Sequence, residues 1–347
     1  MNKVNVGLVG FGLSGQVFHA PIIQSIDGMD IVKVVSSNPD KAAQYLPNAA
    51  VVASLDNLLS DESIDLVIIT SPNQTHYPFA KQALLAGKHV VVEKPFVITS
   101  EEAEDLIETA KQQNKKLSVY QNRRWDNDFL TVKSLIASGE LGDIASYETH
   151  YDRYRPQVSD RWREQAGPGS GMLYDLGAHL IDQALHLFGK PVSVYADLFA
   201  QRTGSEVVDY FHLVLTYENM RVILHSGSLV MQHGPRFQVH GSQGTFIKYG
   251  LDSQEETLRK GGLPGQPAWG KDRVEWYGEL TLMADGKAET SKVETHQGSY
   301  ERFYEGMFQA ITDNKPVPVA AEDARNTIRV IELAMQSSAE KRALPFN

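Results

Sequence analysis

The sequence predicts an α/β protein with an N-terminal doubly wound parallel sheet and a C-terminal α+β domain that has a large, mainly antiparallel open sheet. In the first third of the chain, short β-branched runs alternate with helical patterns, and alternating βα units with buried strands form parallel sheets covered on both faces. After Arg123 the strand-like segments have mixed polarity and many of their turns are short, which is typical of an antiparallel sheet with one open face. A chain of 347 residues is long enough for two domains, and we place them at residues 1–122 and 123–347.

The elements of the first domain are predicted from short apolar runs that end in glycines or polar residues. Helical patterns cover Tyr77–Ala86 and Glu101–Gln113, and the second begins at a capping box in which Thr99 is the cap and Glu102 follows three residues later. The predicted strands are Val4–Val9, Ile31–Val35, Val51–Val52, Leu66–Thr70, Val90–Val92 and Leu117–Tyr120.

The second domain is predicted to begin with a helix at Asp126–Ser138, and further helices are expected at Gly171–Phe188 and Asp323–Lys341. The Gly/Pro-rich stretch Arg259–Asp272, RKGGLPGQPAWGKD, is expected to be the least ordered part. The predicted strands are Ser146–Tyr151, Val192–Gln201, Tyr210–Tyr217, Arg221–Ser228, Phe237–His240 and Thr245–Lys248.

The composition excludes several classes of protein. With 33 basic and 43 acidic residues the formal net charge is −10, which argues against nucleic-acid and anionic-membrane partners. The chain has no cysteine, so disulfides, thiolate metal sites and a cysteine nucleophile are excluded. The first residues lack the apolar core of a signal peptide, and no apolar run is long enough to span a membrane. We therefore expect a cytoplasmic protein.

The segment Val6–Pro21, VGLVGFGLSGQVFHAP, contains a G-x-G-x-x-G at Gly10, Gly12 and Gly15. The motif follows a predicted strand and opens a helix within a βαβ unit, a context that separates a dinucleotide site from an ordinary glycine turn. The glycines allow a tight turn and let a pyrophosphate approach the backbone N–H groups at a helix N-terminus. The sequence therefore predicts a Rossmann-type dinucleotide site.

The end of the second strand indicates which dinucleotide binds. NAD sites usually carry an acidic residue about 20 residues after the glycine motif, and Asp30 lies near that distance but precedes the strand. The strand ends instead at Ser36, Ser37 and Asn38, whose small polar side chains leave room for a 2′-phosphate and can hydrogen-bond to it. Because no carboxylate is present there to repel the phosphate, NADP is favoured over NAD.

The sequence VVVEKPF places Glu93 and Lys94 directly after a buried strand, followed by Pro95. Ligands of open parallel sheets bind at the carboxyl ends of the strands, so Lys94 is expected to point toward the site that the glycines define. The alternative is a surface lysine that is paired with Glu93.

The helix in Gly169–Pro191 carries Asp175, His179, Asp182 and His186 at helical spacing, which places them in one narrow stripe. Such a stripe is often only a solvated face. Metal binding by Asp175 and His179 is a second interpretation, but no further ligand set is evident and we expect no metal. The third is acid–base chemistry, because a histidine with a carboxylate one turn away can exchange a proton near neutral pH.

These elements together resemble the glucose–fructose oxidoreductase/inositol dehydrogenase/MocA family over essentially the whole chain. The resemblance rests on GFGLSGQVFH at the start, EKP at 93–95 and DLGAHLID at 175–182. The segments QNRRWDNDFLTVK, YDRYRP, RWRE and TFIKYG are similar to the branch that contains NADP-dependent scyllo-inositol dehydrogenases. That branch is expected to have an arginine near Asn38, and this chain has none there.

The resemblance implies reversible hydride transfer between nicotinamide and a secondary alcohol of a cyclic polyol or sugar. It implies that Lys94 contacts the reacting oxygen, that His179 takes the hydroxyl proton and that Asp175 orients His179. It also implies subunit contacts through the open sheet, giving a homodimer or homotetramer, and we expect a cis peptide before Pro95. The expected cofactor contacts are Gly10, Phe11, Gly12, Leu13 and Ser14 at the pyrophosphate, Ser36, Ser37 and Asn38 at the 2′-phosphate, and Ser71, Pro72, Asn73, His76, Glu93, Lys94, Asn122, Trp162 and Arg163 elsewhere. The expected substrate contacts are Lys94, Asn122, Tyr154, Asp175 and His179.

Three other functions stay open on the sequence. A sugar-ketone reductase and a trans-dihydrodiol dehydrogenase would use the same machinery. A redox-sensing regulator would bind NADP without turning anything over, but such a protein needs no proton relay, so the joint presence of Lys94, Asp175 and His179 argues against it.

Overall fold

The computed structural model describes residues 3–347, which form two compact units. The first unit comprises the residues up to Asn122 together with Gln254–Trp269 and Ser299–Arg325. The second comprises Arg123–Ser253, Gly270–Gly298 and Asn326–Asn347. After residue 122 the chain thus returns twice to the first unit. The division into independent domains at residues 1–122 and 123–347 stays a prediction.

The first unit contains a six-stranded parallel sheet that confirms the expected doubly wound fold. The strand order is β3-β2-β1-β4-β5-β6, which reverses direction at β1, and each pair of neighbours is parallel. In this order a nucleotide binds where the strand order reverses, at the carboxyl ends of the strands. The strands are β1 (Val4–Val9), β2 (Met29–Val35), β3 (Ala50–Val52), β4 (Leu66–Ile69), β5 (His89–Glu93) and β6 (Leu117–Tyr120).

The five helices that the sequence predicts are all present, within one to a few residues of the predicted bounds. The capping box before α5 is present, with Thr99 accepting from the Glu102 backbone N–H and the Glu102 side chain accepting in return. The helices are α1 (Ala20–Ile23), α2 (Pro39–Tyr45), α3 (Leu55–Leu59), α4 (His76–Leu85), α5 (Ser100–Gln112), α6 (Asn127–Ser138), α7 (Ala178–Phe188), α8 (Gln254–Arg259), α9 (Glu301–Thr312) and α10 (Ala321–Glu340).

The second unit contains a nine-stranded sheet with the order β14-β13-β12-β11-β7-β10-β9-β8-β15. Its neighbours are antiparallel except for β7 and β10, which run parallel, so the expectation of a mainly antiparallel sheet is confirmed. The strands are β7 (Ile144–His150), β8 (Ser193–Phe199), β9 (Tyr210–Thr216), β10 (Arg221–Gly227), β11 (Phe237–Gly241), β12 (Gly244–Lys248), β13 (Gly278–Ala284), β14 (Lys287–Val293) and β15 (Leu344–Pro345).

The Gly/Pro-rich stretch that was expected to be least ordered has irregular backbone, but its end is firmly packed. Trp269 is fully buried, and its indole N–H donates to Glu301 Oε2 at 2.8 Å. Burial of the large apolar indole stabilises the end of this segment, although the residues before it favour turns. Among residues 3–347, no helix combines the length and the apolar composition that crossing a membrane requires.

Candidate active site

The glycine-rich turn lies between β1 and a short π-helix at Gly15–His19, and each glycine has a distinct reason to lack a side chain. Gly10 has φ +94°, and a Cβ there would lie 3.0 Å from the Ser71 backbone N. A Cβ on Gly15 would lie 2.6 Å from Gly10 O, so this glycine allows the helix to pack closely. A Cβ on Gly12 would meet nothing within 4 Å, so the backbone there faces open space. These are the three roles that glycines have in a turn that holds a pyrophosphate.

The carboxyl end of β2 is polar and uncharged, as the sequence indicates. Ser36 Oγ accepts from the Asn38 backbone N–H at 3.1 Å, and Asn38 caps α2 by accepting from Lys41 N. Asp30 lies at the opposite end of β2 and forms an exposed ion pair with Lys3 at 2.8 Å. Asp30, although it lies about 20 residues after the glycine motif, is therefore not at the carboxyl end of β2, where a nucleotide would bind.

A buried polar network directly beneath the glycine turn was not foreseen. The Ser14 hydroxyl donates to Glu93 Oε1, and His19 Nε2 lies 3.0 Å from the same oxygen. The other ring nitrogen of His19 lies 2.5 Å from the Tyr304 hydroxyl. Burial opposes ionisation of Glu93, but the hydrogen bonds from His19 and Ser14 and the charges of His19 and Lys94 outweigh it and lower the pKa of this carboxyl to about 2. Glu93 is thus an internal anion that fixes the turn to the end of β5.

Lys94 follows β5, and the peptide bond before Pro95 is cis, as expected. The Lys94 backbone N–H donates to Glu93 Oε2 at 2.7 Å, which holds the start of this loop. Residue His76 is almost fully buried, with Nδ1 at 2.8 Å from Pro95 O and Nε2 at 2.9 Å from Ser71 O. Burial lowers the pKa of His76. This ring therefore joins the loops after β4 and β5, and the cofactor contact expected of His76 stays a prediction.

The other residues expected near the cofactor in the first unit occupy the ends of the parallel strands. Asn73 is buried in a 3-10 helix at Asn73–Thr75 after β4. Next to it, Ser71 Oγ lies 2.6 Å from Thr75 Oγ1. Asn122 follows β6 and is also buried. Their roles toward a ligand stay predictions.

In the second unit, Asp175 lies between two arginines. It belongs to a π-helix at Leu173–Gly177 that leads into α7. Arg163 Nη1 lies 3.8 Å from Asp175 Oδ1, and Arg153 Nη1 lies 4.0 Å from Oδ2. Arg163 also stacks over the Trp162 ring, with 5.0 Å from Cζ to the ring centroid. The structure thus brings together three of the expected site residues, namely Asp175, Trp162 and Arg163.

The segment that carries these arginines also contains Arg155 and Arg161, together with the acidic Asp152, Asp160 and Glu164. Burial and the nearby charges of Arg153 and Arg161 lower the pKa of Arg155. The ring of Tyr154 is half exposed in the same segment, and Tyr154 pairs with Leu229 in an isolated antiparallel bridge. Within an acidic chain, this segment is suited to polar or negatively charged groups of a ligand.

The polar stripe on the helix is not a solvated face. His179 is 4% exposed and Asp182 is 2% exposed. Arg124 donates two hydrogen bonds to the Asp182 carboxylate, from Nε at 2.8 Å and from Nη2 at 2.7 Å. Only His186, near the end of α7, is exposed, and its Nε2 lies 2.9 Å from Lys133 Nζ. The stripe therefore begins at the half-buried Asp175, continues through the buried His179 and Asp182, and ends at the exposed His186.

The family comparisons agree with the two-part architecture. Residues 4–121 match the Gfo/Idh/MocA model described as an oxidoreductase family, NAD-binding Rossmann fold. Residues 133–346 match the model described as the C-terminal alpha/beta domain of the same oxidoreductase family.

Three individual proteins are similar to this chain over nearly its full length. The scyllo-inositol 2-dehydrogenase (NADP(+)) IolW of Bacillus subtilis is 46% identical over 344 residues, covering 99% of this chain and 96% of the relative. The uncharacterized oxidoreductase YdgJ of Escherichia coli is 44% identical, covering 99% of both chains. A solved structure of the Bacillus subtilis oxidoreductase yvaA has a TM-score of 0.98 at 46% identity, covering 100% of this chain and 99% of that chain.

Proposed function

The chain belongs to the Gfo/Idh/MocA oxidoreductase family, and from this premise we propose that it is an NADP-dependent dehydrogenase of cyclic polyols, with scyllo-inositol as the leading substrate. The observation that carries the proposal is the buried His179 that follows Asp175 by one helical turn. Oxidation of an alcohol requires a group that accepts the hydroxyl proton, and a histidine close to a carboxylate can do so. A protein that only senses a dinucleotide does not require such a group.

The first unit fits a dinucleotide by its own geometry. The open space at Gly12 leaves the backbone of Phe11–Ser14 accessible, and a side chain at Gly10 or Gly15 would meet backbone atoms. We infer that Phe11–Ser14 hold the pyrophosphate and that Ser36, Ser37 and Asn38 bind the ribose and its 2′-phosphate. Bound there, the nicotinamide supplies the acceptor for a hydride.

The proposed chemistry of the protein side chains is proton transfer and charge stabilisation. His179 takes the proton of the substrate hydroxyl, and Asp175 holds the imidazole and the neighbouring substrate hydroxyls. Lys94 donates a hydrogen bond to the reacting oxygen and stabilises the negative charge that develops on it. The buried Glu93 holds the backbone N–H of Lys94, so the position of the lysine depends on the network with Ser14 and His19.

The substrate is tested by a screen of NADP reduction with inositols, hexoses and anhydro-sugars. Because Arg153, Arg155 and Arg163 lie near Asp175, the screen includes sugar acids and sugar phosphates. Oxidation of scyllo-inositol with the highest kcat/KM supports the proposal. A clear preference for a hexose, an anhydro-sugar or a dihydrodiol would show that scyllo-inositol is not the main substrate. If no compound is turned over although NADP binds tightly, a regulator would be supported instead.

The cofactor preference is tested with Ser37→Asp. The wild type is expected to bind NADP more tightly than NAD in a fluorescence titration, because no carboxylate opposes the 2′-phosphate. The variant is expected to shift this preference toward NAD by charge repulsion, while Asp40→Asn serves as a control nearby. Tighter binding of NAD by the wild type would contradict the NADP assignment.

We also propose that the chain forms a homodimer or homotetramer through the open face of the nine-stranded sheet. Large apolar side chains on these strands are exposed, with Phe199 at 61% and Met283 at 65%, and such surface is typical of an interface. Light scattering of the wild type is expected to give a dimer or tetramer, and Phe199→Glu is expected to lower the mass. A monomeric wild type would contradict this proposal.

A further inference from the structure

A cluster of histidines and carboxylates lies on the open face of the nine-stranded sheet, apart from the residues assigned to the proposed reaction. Along β7, Tyr147 and Thr149 are buried while Glu148 and His150 are partly exposed, which places the latter two on the open face. The neighbouring parallel strand β10 brings His225 into register with His150. Five residues make up this histidine cluster: Glu148, His150, Asp152, His212 and His225.

The central carboxylate of the histidine cluster lies between two imidazoles. Asp152 Oδ2 is 3.1 Å from His150 Nδ1, and Asp152 Oδ1 is 3.6 Å from His225 Nε2. One ligand atom from each of these three residues lies within 4.8 Å of the other two. Tetrahedral coordination of Zn²⁺ by nitrogen and oxygen separates neighbouring ligand atoms by about 3.3 Å. The two measured separations, which involve different oxygens of Asp152, lie on either side of this value, so the spacing of the cluster is close to what one ion requires.

Neighbouring polar groups contact these three residues in the way that the hydrogen-bond partners of metal ligands usually do. The second nitrogen of His150, Nε2, lies 2.6 Å from Glu148 Oε1 and donates to that carboxylate. The second nitrogen of His225, Nδ1, lies 3.4 Å from His212 Nδ1. The Gly227 backbone N–H donates to Asp152 Oδ1 at 3.0 Å. Metal-binding histidines typically have their other ring nitrogen held by a carboxylate or another polar group, which fixes the tautomer and the ring orientation.

We propose that His150, Asp152 and His225 bind one divalent transition-metal ion of the Zn²⁺ type, with the fourth position open to water. Two imidazoles and one carboxylate are a ligand set that suits zinc, copper or nickel better than magnesium or calcium. All three residues are only partly buried in the single chain, so an ion can reach them before copies of the chain associate through the same face.

The expected effect of the ion is structural. Asp152 lies just after β7, at the start of the segment that carries Tyr154, Trp162 and Arg163, whereas His225 lies within β10. The Tyr151 backbone N–H already donates to His225 O at 3.0 Å. The Arg153 backbone N–H also donates to Gly227 O at 3.0 Å, so an ion bound by Asp152 and His225 adds a further link between this segment and the sheet.

The test is metal binding by the tag-free, chelator-treated full chain. Titration calorimetry with ZnCl₂ is expected to give one site per chain, and Co²⁺ is expected to give the visible absorption of a tetrahedral complex. Asp152→Asn, which keeps an acceptor for Gly227, and His225→Gln are each expected to weaken binding by about tenfold or more. Glu148→Gln is expected to weaken it by about tenfold, because the negative charge beside His150 is lost. His240→Gln, on the same face and outside the cluster, is expected to bind as the wild type does.

A second measurement uses thermal unfolding with and without Zn²⁺. The wild type and His240→Gln are expected to gain stability on adding the ion, and His225→Gln is expected to gain none, because only an ion that binds the folded state stabilises it. Circular dichroism checks that the variants are folded. No saturable binding by the wild type, or equal binding by wild type, Asp152→Asn and His225→Gln, would overturn the proposal.

Discussion

At the scale of single residues, Glu93 links the stability of the first unit to its site, because one buried carboxylate accepts from Ser14, contacts His19 and holds the backbone of Lys94. Its pKa is lowered to about 2 from an ordinary value of 4.5, so its ionised form is stabilised by folding. The resulting contribution is fully present above pH 4.5 and is lost as the pH falls from there toward 2. At pH 7 it amounts to about 3 kcal/mol.

Glu93→Gln is therefore expected to be less stable than the wild type at neutral pH, and the difference is expected to shrink as the pH falls below 4.5. Urea unfolding at a series of pH values measures this difference directly. The control is Glu289→Gln, at an exposed position of β14, where little change is expected. A difference between wild type and Glu93→Gln that stays constant down to pH 3 would show that the charge of Glu93 contributes nothing.

Lys94 is expected to act mainly on the transition state. A preorganised positive charge beside a developing alkoxide contributes a few kcal/mol, so Lys94→Ala is expected to lower kcat by more than about tenfold. Binding of NADP, followed by fluorescence, is expected to change much less, and Lys111→Ala on the exposed face of α5 is the matched control. If turnover of Lys94→Ala stays within tenfold of the wild type, the role assigned to the lysine is wrong.

At the scale of elements, the helix that begins with Asp175 and His179 divides into parts with different functions. Oxidation requires His179 to be neutral, so its rate is expected to rise with pH, and His179→Asn is expected to flatten that rise while the protein stays folded. Asp175→Asn is expected to alter the same part of the profile. His186→Asn, at the exposed end of the helix, is the control and is expected to leave the profile unchanged.

Two results would decide against this assignment. An unchanged pH profile in His179→Asn would remove the histidine as the base. Loss of activity on adding a chelator, with recovery on adding a divalent ion, in His225→Gln as well as in the wild type, would instead support metal binding by Asp175 and His179.

Element boundaries were predictable where burial leaves a pattern in the sequence. β1 and β6 lie as predicted because every residue of β6, and every residue of β1 except Asn5, is buried. The hairpin of β13 and β14 was missed, since most of β14 is exposed and its polar sequence KAETSKV has no alternation. Helix α9 was missed although Phe303, Tyr304, Met307 and Ala310 recur on one buried face, so that signal was available.

The site was predictable where residues close in sequence act together, and not where the fold brings distant residues together. The glycine turn and the Asp175–His179 pair are local patterns. Glu93 and Tyr304 both contact His19, but they are separated by more than two hundred residues, and nothing in the chain links them before it is folded. The hydrogen-bond partner of Asp182 was likewise not predictable, because Arg124 lies 58 residues earlier in the chain.

At the scale of the whole molecule, the chain combines two compact units of different architecture. The parallel sheet of the first supplies a glycine-rich turn in which a side chain at Gly10 or Gly15 would meet backbone atoms, while the space beside Gly12 is open. The mainly antiparallel sheet of the second carries the helix with the proposed base and leaves one face open. In the proposed reaction the first unit holds the hydride acceptor and contributes Lys94, and the second contributes Asp175 and the base His179.

The central claim is that the protein moves a hydride from a polyol carbon to NADP. The most direct measurement is incubation with NADP and scyllo-inositol deuterated at its ring carbons, followed by mass spectrometry of the reduced cofactor. The wild type is expected to produce NADPH that carries one deuterium, and His179→Asn and Lys94→Ala are expected to produce it far more slowly. Cofactor that remains oxidised with deuterated scyllo-inositol and with every other polyol, in a protein that binds NADP, would contradict the account.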